Sequence, residues 1–355
     1  MIFKDKTILV TGGTGSMGKK LVHRLLTGEL GIPKKVIVLS RDEAKQHDMR
    51  MSYLNRRVST DEVIFNNFKN VLEFRIGDVR TYADVSSAVK GTEIVINAAA
   101  LKQVPTCEYF PAQAVLTNCL GANNIVRAIE EHNYPVETVV GISTDKACKP
   151  VNVMGMTKAI QERVFIAANI LNPDTRFVCV RYGNVLASRG SVIPLFHDQI
   201  NSGGPVTLTS PEMTRFLLSL DDAVDTVFSA VKEAKRGETY IPRAPSATVM
   251  NIARALIGER DISLQTVGIR PGEKLHEILI SEEEIHHCVR RGDYYAIQPM
   301  LPEVRQQREG EANALSAEYS SADAVLDLPG TAALLRKHRL MIEDSDWSNQ
   351  TELLR

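Results

Sequence analysis

A surplus of charge of either sign is missing from this 355-residue chain: 42 Lys and Arg stand against 43 Asp and Glu, a formal net charge of −1. No basic surplus marks it for nucleic acid or anionic lipid, so its partners are expected to be small molecules. Cysteine is sparse and scattered. The five residues Cys107, Cys119, Cys148, Cys179 and Cys288 include no CxxC pair, which excludes a disulfide framework and a zinc ribbon and fits a reducing compartment. Cys107 reads as a small packed residue. Adjacent His286 and His287 lack matched ligands, so no metal is expected. No apolar run approaches the ~18 residues of a spanning helix, and the first strand begins by about Thr7, so a soluble, unprocessed, cytoplasmic protein is expected.

Against these absences stands one dense local signal. Thr11-Gly12-Gly13-Thr14-Gly15-Ser16-Met17-Gly18 follows a short apolar run and leads into an amphipathic stretch. Strand, glycine turn and helix in that order form a dinucleotide cradle: the turn lets a pyrophosphate approach the backbone, and the helix start supplies N–H groups to hold it. Strand-like runs recur at 7–10, 35–39, 71–76, 94–97, 138–143 and 177–182, mostly separated by amphipathic helices. The fold class is therefore α/β, a Rossmann-type doubly wound parallel sheet. The polar segment 41–70 is expected to hold one helix and then a loop over 59–70.

Past Tyr182 glycine and proline punctuate the chain at 188–190, 202–205, 244–245 and 270–272, as suits a smaller mixed α/β domain closing over a ligand. The expected division is 1–183 for the cofactor, 184–305 for the substrate, with some interleaving, and 306–355 as a polar tail with a last helix near 331–337.

The second strand ends in Ser40-Arg41-Asp42-Glu43. A hydroxyl followed by a guanidinium fork suits a 2′-phosphate, which favours NADP. The alternative is that Ser40 caps the next helix, Arg41 is solvated, and Asp42 or Glu43 meets the ribose of NAD. Lys45 belongs to the same subsite. Asp78, with Val79, ends the third strand and either accepts from the adenine amine or caps a helix.

The fifth strand ends in Ser143-Thr144-Asp145-Lys146, and the following stretch carries Met154 and Lys158, four apart on one helical face. With Asn97-Ala98-Ala99-Ala100-Leu101-Lys102-Gln103-Val104-Pro105, Arg181-Tyr182-Gly183-Asn184-Val185, Met213-Thr214-Arg215-Phe216 and Arg270-Pro271-Gly272-Glu273-Lys274, these strings resemble the extended short-chain dehydrogenases/reductases. Among them they look like the UDP-N-acetylglucosamine (UDP-GlcNAc) 4,6-dehydratases of capsule and surface-glycan synthesis. The departure is Met154, at the position of the usual tyrosine; some members of that family also carry Met. A thioether takes no proton from a hydroxyl, so Met154 is read as a pocket-lining residue.

The resemblance implies a redox-neutral reaction: C4 of UDP-GlcNAc loses hydride to the cofactor, water leaves C5 and C6, and the hydride returns to C6. Lys146 then removes the C5 proton, Asp145 protonates the leaving hydroxyl, and Thr144 hydrogen-bonds the 4-hydroxyl. The acceptor of the 4-hydroxyl proton is left open among Lys146, Asp145 and a water. A lysine titrating near ~10.4 must come down towards neutrality for this work, and burial with positive charge from the oxidised nicotinamide and Lys158 is expected to bring it there. A simple Asp145–Lys146 ion pair is the competing view.

Lys158 is expected at the nicotinamide ribose, beside Ala98, Ala99 and Ala100. Lys102, Asn184, Val192, Thr207, Thr209, Met213, Arg215, Arg270 and Glu273 are assigned to the nucleotide sugar. The resemblance further implies a homo-oligomer, with a hexamer as the expectation, and C5 inversion. Retention of C5, 4-epimerisation and a non-catalytic NADP-binding sensor are the alternatives.

Overall fold

The computed structural model describes residues 1–54, 62–186, 191–305 and 312–344. The elements run β1 (Thr7–Thr11), α1 (Ser16–Thr27), β2 (Lys35–Ser40), α2 (Glu43–Leu54), α3 (Glu62–Val71), β3 (Leu72–Ile76), α4 (Tyr82–Val89), β4 (Ile94–Asn97), α5 (Val104–Tyr109), α6 (Pro111–Ala114), α7 (Gly121–His132), β5 (Thr138–Ile142), α8 (Val153–Leu171), β6 (Arg176–Val180) and β7 (Asn184–Val185). They continue as α9 (Val192–Asn201), β8 (Val206–Leu208), β9 (Thr214–Leu218), α10 (Leu220–Glu233), β10 (Thr239–Pro242), β11 (Ser246–Thr248), α11 (Val249–Ile257), β12 (Leu264–Thr266), β13 (Ile278–Ile280), β14 (Cys288–Arg291), β15 (Tyr294–Ile297), β16 (Tyr319–Ser320), β17 (Val325–Leu326) and α12 (Leu328–Lys337).

Among the described residues the main sheet has nine strands in the order β14-β15-β10-β6-β5-β4-β1-β2-β3. From β3 to β10 all neighbours are parallel; β15 and β14 add an antiparallel edge. Side chains alternate across each central strand and both faces are buried, which is why these strands read as near-continuous apolar runs. Ile8, Val10, Val36 and Val38 pack under α1, α3 and α10; Leu9, Ile37, Val95 and Val139 pack under α4, α7 and α8. A third core joins α9, α11 and α12 around Phe196, Leu256 and Leu335.

Segment 62–71 differs from its expectation. The loop read over 59–70 is a helix from Glu62 onward, because Ile64, Phe68 and Val71 recur at helical spacing and are buried against Tyr53; residues 59–61 lie outside the described residues. Segment 188–190 also lies outside them. Strands β10, β14 and β15 return to the main sheet from beyond residue 184. Of the polar tail, 312–344 folds back on its own chain: β16 pairs with β13, β17 with β11, and α12 packs on α11. No described helix is long and apolar enough to cross a membrane.

Candidate active site

Sheet order reverses between β1 and β4, and a crevice opens beyond the carboxyl ends of the strands at that point. A cavity of about 760 Å³ lies there, lined in turn by residues following each of β1 to β6. Its floor is pinned by Thr11 Oγ1, which donates to Asn97 Oδ1 at 2.6 Å.

The first glycine turn fits a pyrophosphate. Gly12 has φ +67°, and a Cβ there would lie 2.7 Å from Ala99 Cα; one on Gly18 would lie 2.5 Å from the Gly12 carbonyl oxygen. These contacts draw the turn onto the strand ends. A Cβ on Gly15 would meet only the Gly12 carbonyl oxygen, at 3.4 Å. Helix α1 starts there with no side-chain cap and no acid in its first turn. A helix start of that kind suits an anion. Gly12, Thr14, Gly15, Ser16, Met17 and Gly18 all border the cavity.

Ser40, Arg41, Lys45, Asp78, Val79, Ala98, Ala99 and Ala100 border the same cavity. Asp42, not Ser40, caps α2: its Oδ1 accepts from the Lys45 N–H at 3.0 Å, while the Ser40 hydroxyl meets Thr14 Oγ1 at 2.9 Å. Asp78 is no cap either. It accepts the Arg80 backbone N–H at 3.0 Å and the Arg80 guanidinium at 2.9 and 2.6 Å, with Arg41 at 3.8 Å. Burial works to raise the Asp78 carboxyl, but Arg80 and then Arg41 prevail and hold it below the usual range.

At the end of β5 the chain makes a tight turn over Asp145–Ala147, and α8 presses on it. A Cβ on Gly155 would fall 2.2 Å from the Lys146 carbonyl oxygen, so glycine is what lets the first turn of α8 come this close. Asn152 caps that helix, accepting from the Gly155 N–H at 2.8 Å and donating from Nδ2 to the Gly272 carbonyl at 2.8 Å. The cap thereby ties the 270–273 turn, with Arg270 and Glu273, to the cavity rim.

Asp145 is fully buried and lies behind the cavity wall, which Thr144 and Lys146 form. Asp145 Oδ1 accepts from Thr144 Oγ1 at 2.8 Å and from Lys146 Nζ at 3.0 Å; Oδ2 is buried with no partner among the described residues. Lys146 Nζ also reaches Asn184 Oδ1 at 3.2 Å and Glu277 Oε1 at 3.3 Å.

The chain's own groups do not bring Lys146 down as expected. Burial pulls its ammonium down, but Asp145 and Glu277 outweigh burial and Arg215, so it stands above its ordinary value. Arg215 is the positive neighbour that acts on it, outweighed by the two carboxylates, and Lys146 and Asp145 form an ion pair at 3.0 Å. The lysine brought down is Lys158, to about 8, by burial; it donates to Gln161 Oε1 at 2.8 Å and borders the cavity.

Met154 is buried with Cys107 and Ala114 and borders the cavity, as do Lys102, Asn184 and Arg215. Four assigned residues are not brought to it. Val192 and Met213 pack in the third core, Thr207 is held by Gln199 through bonds of 2.8 and 3.1 Å, and Thr209 follows β8 outside the lining. Glu277 was missed by sequence reasoning: it stands three residues beyond Lys274, and no local pattern separates it from a surface charge. Thr117, whose buried hydroxyl has no partner among the described residues, was missed for the same reason.

Residues 8–299 match the family described as polysaccharide biosynthesis protein. A relative from Rickettsia conorii, named UDP-glucose 4-epimerase, is 43% identical over 330 residues, covering 90% of this chain and 92% of its own. The X-ray structure of Pen from Bacillus thuringiensis is 33% identical with TM-score 0.84, covering 96% of this chain and 100% of that one. DesIV from Streptomyces venezuelae, a dTDP-glucose 4,6-dehydratase solved with NAD and TYD bound, shares the fold at 21% identity and TM-score 0.64, covering 76% and 86%. The chain has the extended short-chain dehydrogenase/reductase fold and belongs to the polysaccharide biosynthesis protein family.

Proposed function

We propose that the chain is an NADP-dependent enzyme that oxidises C4 of UDP-GlcNAc and then removes water across C5 and C6, with C5 inverted in the product. The observation that carries the reading is the buried Asp145–Lys146 pair at 3.0 Å beside a cavity whose expected phenol is Met154. Epimerisation at C4 has no need of an acid for the C6 hydroxyl; dehydration needs an acid and a base together.

A nicotinamide cofactor, which the glycine turn, Ala98 to Ala100 and Lys158 would hold, would supply hydride acceptance and return. The chain supplies the proton chemistry. One proton transfer along the Lys146–Asp145 contact converts ammonium and carboxylate into amine and acid, the working forms for C5 deprotonation and C6 protonation. Bound sugar, by excluding water, favours the neutral pair. The Thr144 hydroxyl borders the cavity and donates to the Asp145 carboxylate; towards the neutral acid it turns to accept, so that Asp145 gives its proton to Thr144 Oγ1 while Thr144 passes its own to the leaving hydroxyl. Arg41, just past β2, and Lys45, in the first turn of α2, support NADP over NAD, and the presence of Lys102, Arg215 and Arg270 in the cavity lining supports a diphosphate there.

The relatives' name supports a second reading, UDP-hexose 4-epimerisation, more directly than it supports dehydration. Both share oxidation at C4. Incubation with UDP-GlcNAc and NMR of the product separates them: a 6-deoxy-4-keto sugar is expected, UDP-GalNAc overturns dehydration in favour of epimerisation, and unchanged substrate with bound cofactor overturns both.

A further inference from the structure

Glu277 is only 1% exposed, yet it borders the cavity. The fold clamps its backbone: the Glu277 N–H donates to Ser321 Oγ at 2.9 Å, and its carbonyl accepts from the Ser321 N–H at 2.8 Å. Ser321 Oγ is in turn 2.7 Å from Thr214 Oγ1. The carboxylate thus reaches the cavity from the segment before β13, independently of the β5 turn that carries Asp145. Its Oε1 lies 3.3 Å from Lys146 Nζ and 3.9 Å from Arg215 Nε, and its Oε2 is buried with no partner among the described residues. A buried carboxylate oxygen left without a donor costs stability. Packing alone gives no reason to keep one here, whereas a second anion against Lys146 does.

We propose that Glu277 is a positioning residue of the reaction centre, fixing the Lys146 side chain on the cavity wall from a segment other than the turn that carries Asp145. The assignment rests on the reading of Lys146 as the group that handles the C5 proton. Charges face Lys146 from three segments: Asp145 on its own turn, Arg215 on β9, and Glu277 with Lys274 before β13. Asn184 adds a neutral acceptor. Glu277 therefore offsets Arg215 and holds the ammonium in place. Without it, Lys146 is drawn to Asp145 alone and leaves the orientation that serves C5.

The test compares full-length wild type with Glu277→Gln and the more conservative Glu277→Asp. Pulsed acetylation of Lys146 by acetic anhydride across pH, read by mass spectrometry, requires no turnover. In Glu277→Gln the acetylation midpoint is expected to fall by about one pH unit or more, the effect of losing an opposite charge at this range. The kcat for UDP-GlcNAc is expected to drop by about a hundredfold, the lower end for acid–base catalysis. KM is expected to change by less than about threefold, as for an interaction absent from substrate binding. Glu277→Asp should recover part of both losses, and thermal melting shows whether each variant is folded. An unchanged acetylation profile in a folded Glu277→Gln protein, or a loss confined to KM, overturns the proposal. A wild type inert towards UDP-GlcNAc whose Lys146 profile still moves in the variant refutes the functional reading and leaves the positioning of Lys146 standing.

Discussion

Under the proposed reading, single side chains set the preference between NADP and NAD. Arg41 projects from the tip of β2 with about half of its side chain exposed, 3.8 Å from Asp78, and Asp42 is occupied as the cap of α2. A 2′-phosphate would give Arg41 a stronger partner than Asp78, which Arg80 already satisfies. Arg41→Ala is expected to weaken NADP by about tenfold or more, the worth of a charge-assisted hydrogen bond, while NAD changes by less than about twofold. Calorimetric titration of both cofactors checks this, and equal losses would point to a role in folding the loop. At this scale the sequence was most legible where chemistry is local. The glycine turn, the Asp145–Lys146 pair and Met154 could each be placed from neighbours in the chain. Glu277 could not, since it becomes a partner of Lys146 only through the pairing of 277 with 321, and the pKa of Lys146 depends on that distant carboxylate.

Among the elements, α8 organises the site. Its cap Asn152 both starts the helix and tethers the 270–273 turn. Asn152→Ala is expected to lower stability by about 1 kcal/mol through the lost cap. Asn152→Asp keeps the cap but loses the donor to Gly272, so melting should recover while KM for the nucleotide sugar stays raised. Thermal melts and steady-state kinetics on the two variants separate these functions. The parallel strands were readable as elements because burial on both faces leaves them apolar throughout, and β4 (Ile94–Asn97) falls on its expected bounds. Helix α3 was obscured by its polar surroundings, although Ile64, Phe68 and Val71 carried the period.

Across the whole molecule, the main sheet is joined to the segment before β14 by a buried ionic group. Arg181, following β6, donates to Glu162 of α8 at 3.1 and 2.7 Å and to Glu284 at 2.8 and 2.9 Å. Burial raises Glu284, but Arg181 outweighs it and holds the carboxyl below its ordinary 4.5. A carboxyl depressed by folding contributes stability that is present above its unfolded value and lost as pH falls through the folded one. Denaturant unfolding from pH 7 to 3 should therefore show a decline beginning near 4.5, to which Glu284 contributes. Glu284→Gln is expected to flatten that decline and to cost about 3–5 kcal/mol at pH 7 by breaking a buried pair. Nothing local in the sequence joined Arg181 to Glu284, which is 103 residues away; such long-range closure is what the strings in chain order left unread.

The central claim is that an acid and an amine beside a pyridine nucleotide can act on a 4-keto sugar with no phenol. It is tested most directly by turnover of UDP-GlcNAc in deuterium oxide, comparing wild type with Lys146→Ala. The account predicts a 6-deoxy-4-keto product carrying deuterium at C5 from the wild type and no C5 label from the folded variant; C5 labelling at the wild-type rate without Lys146 would contradict it.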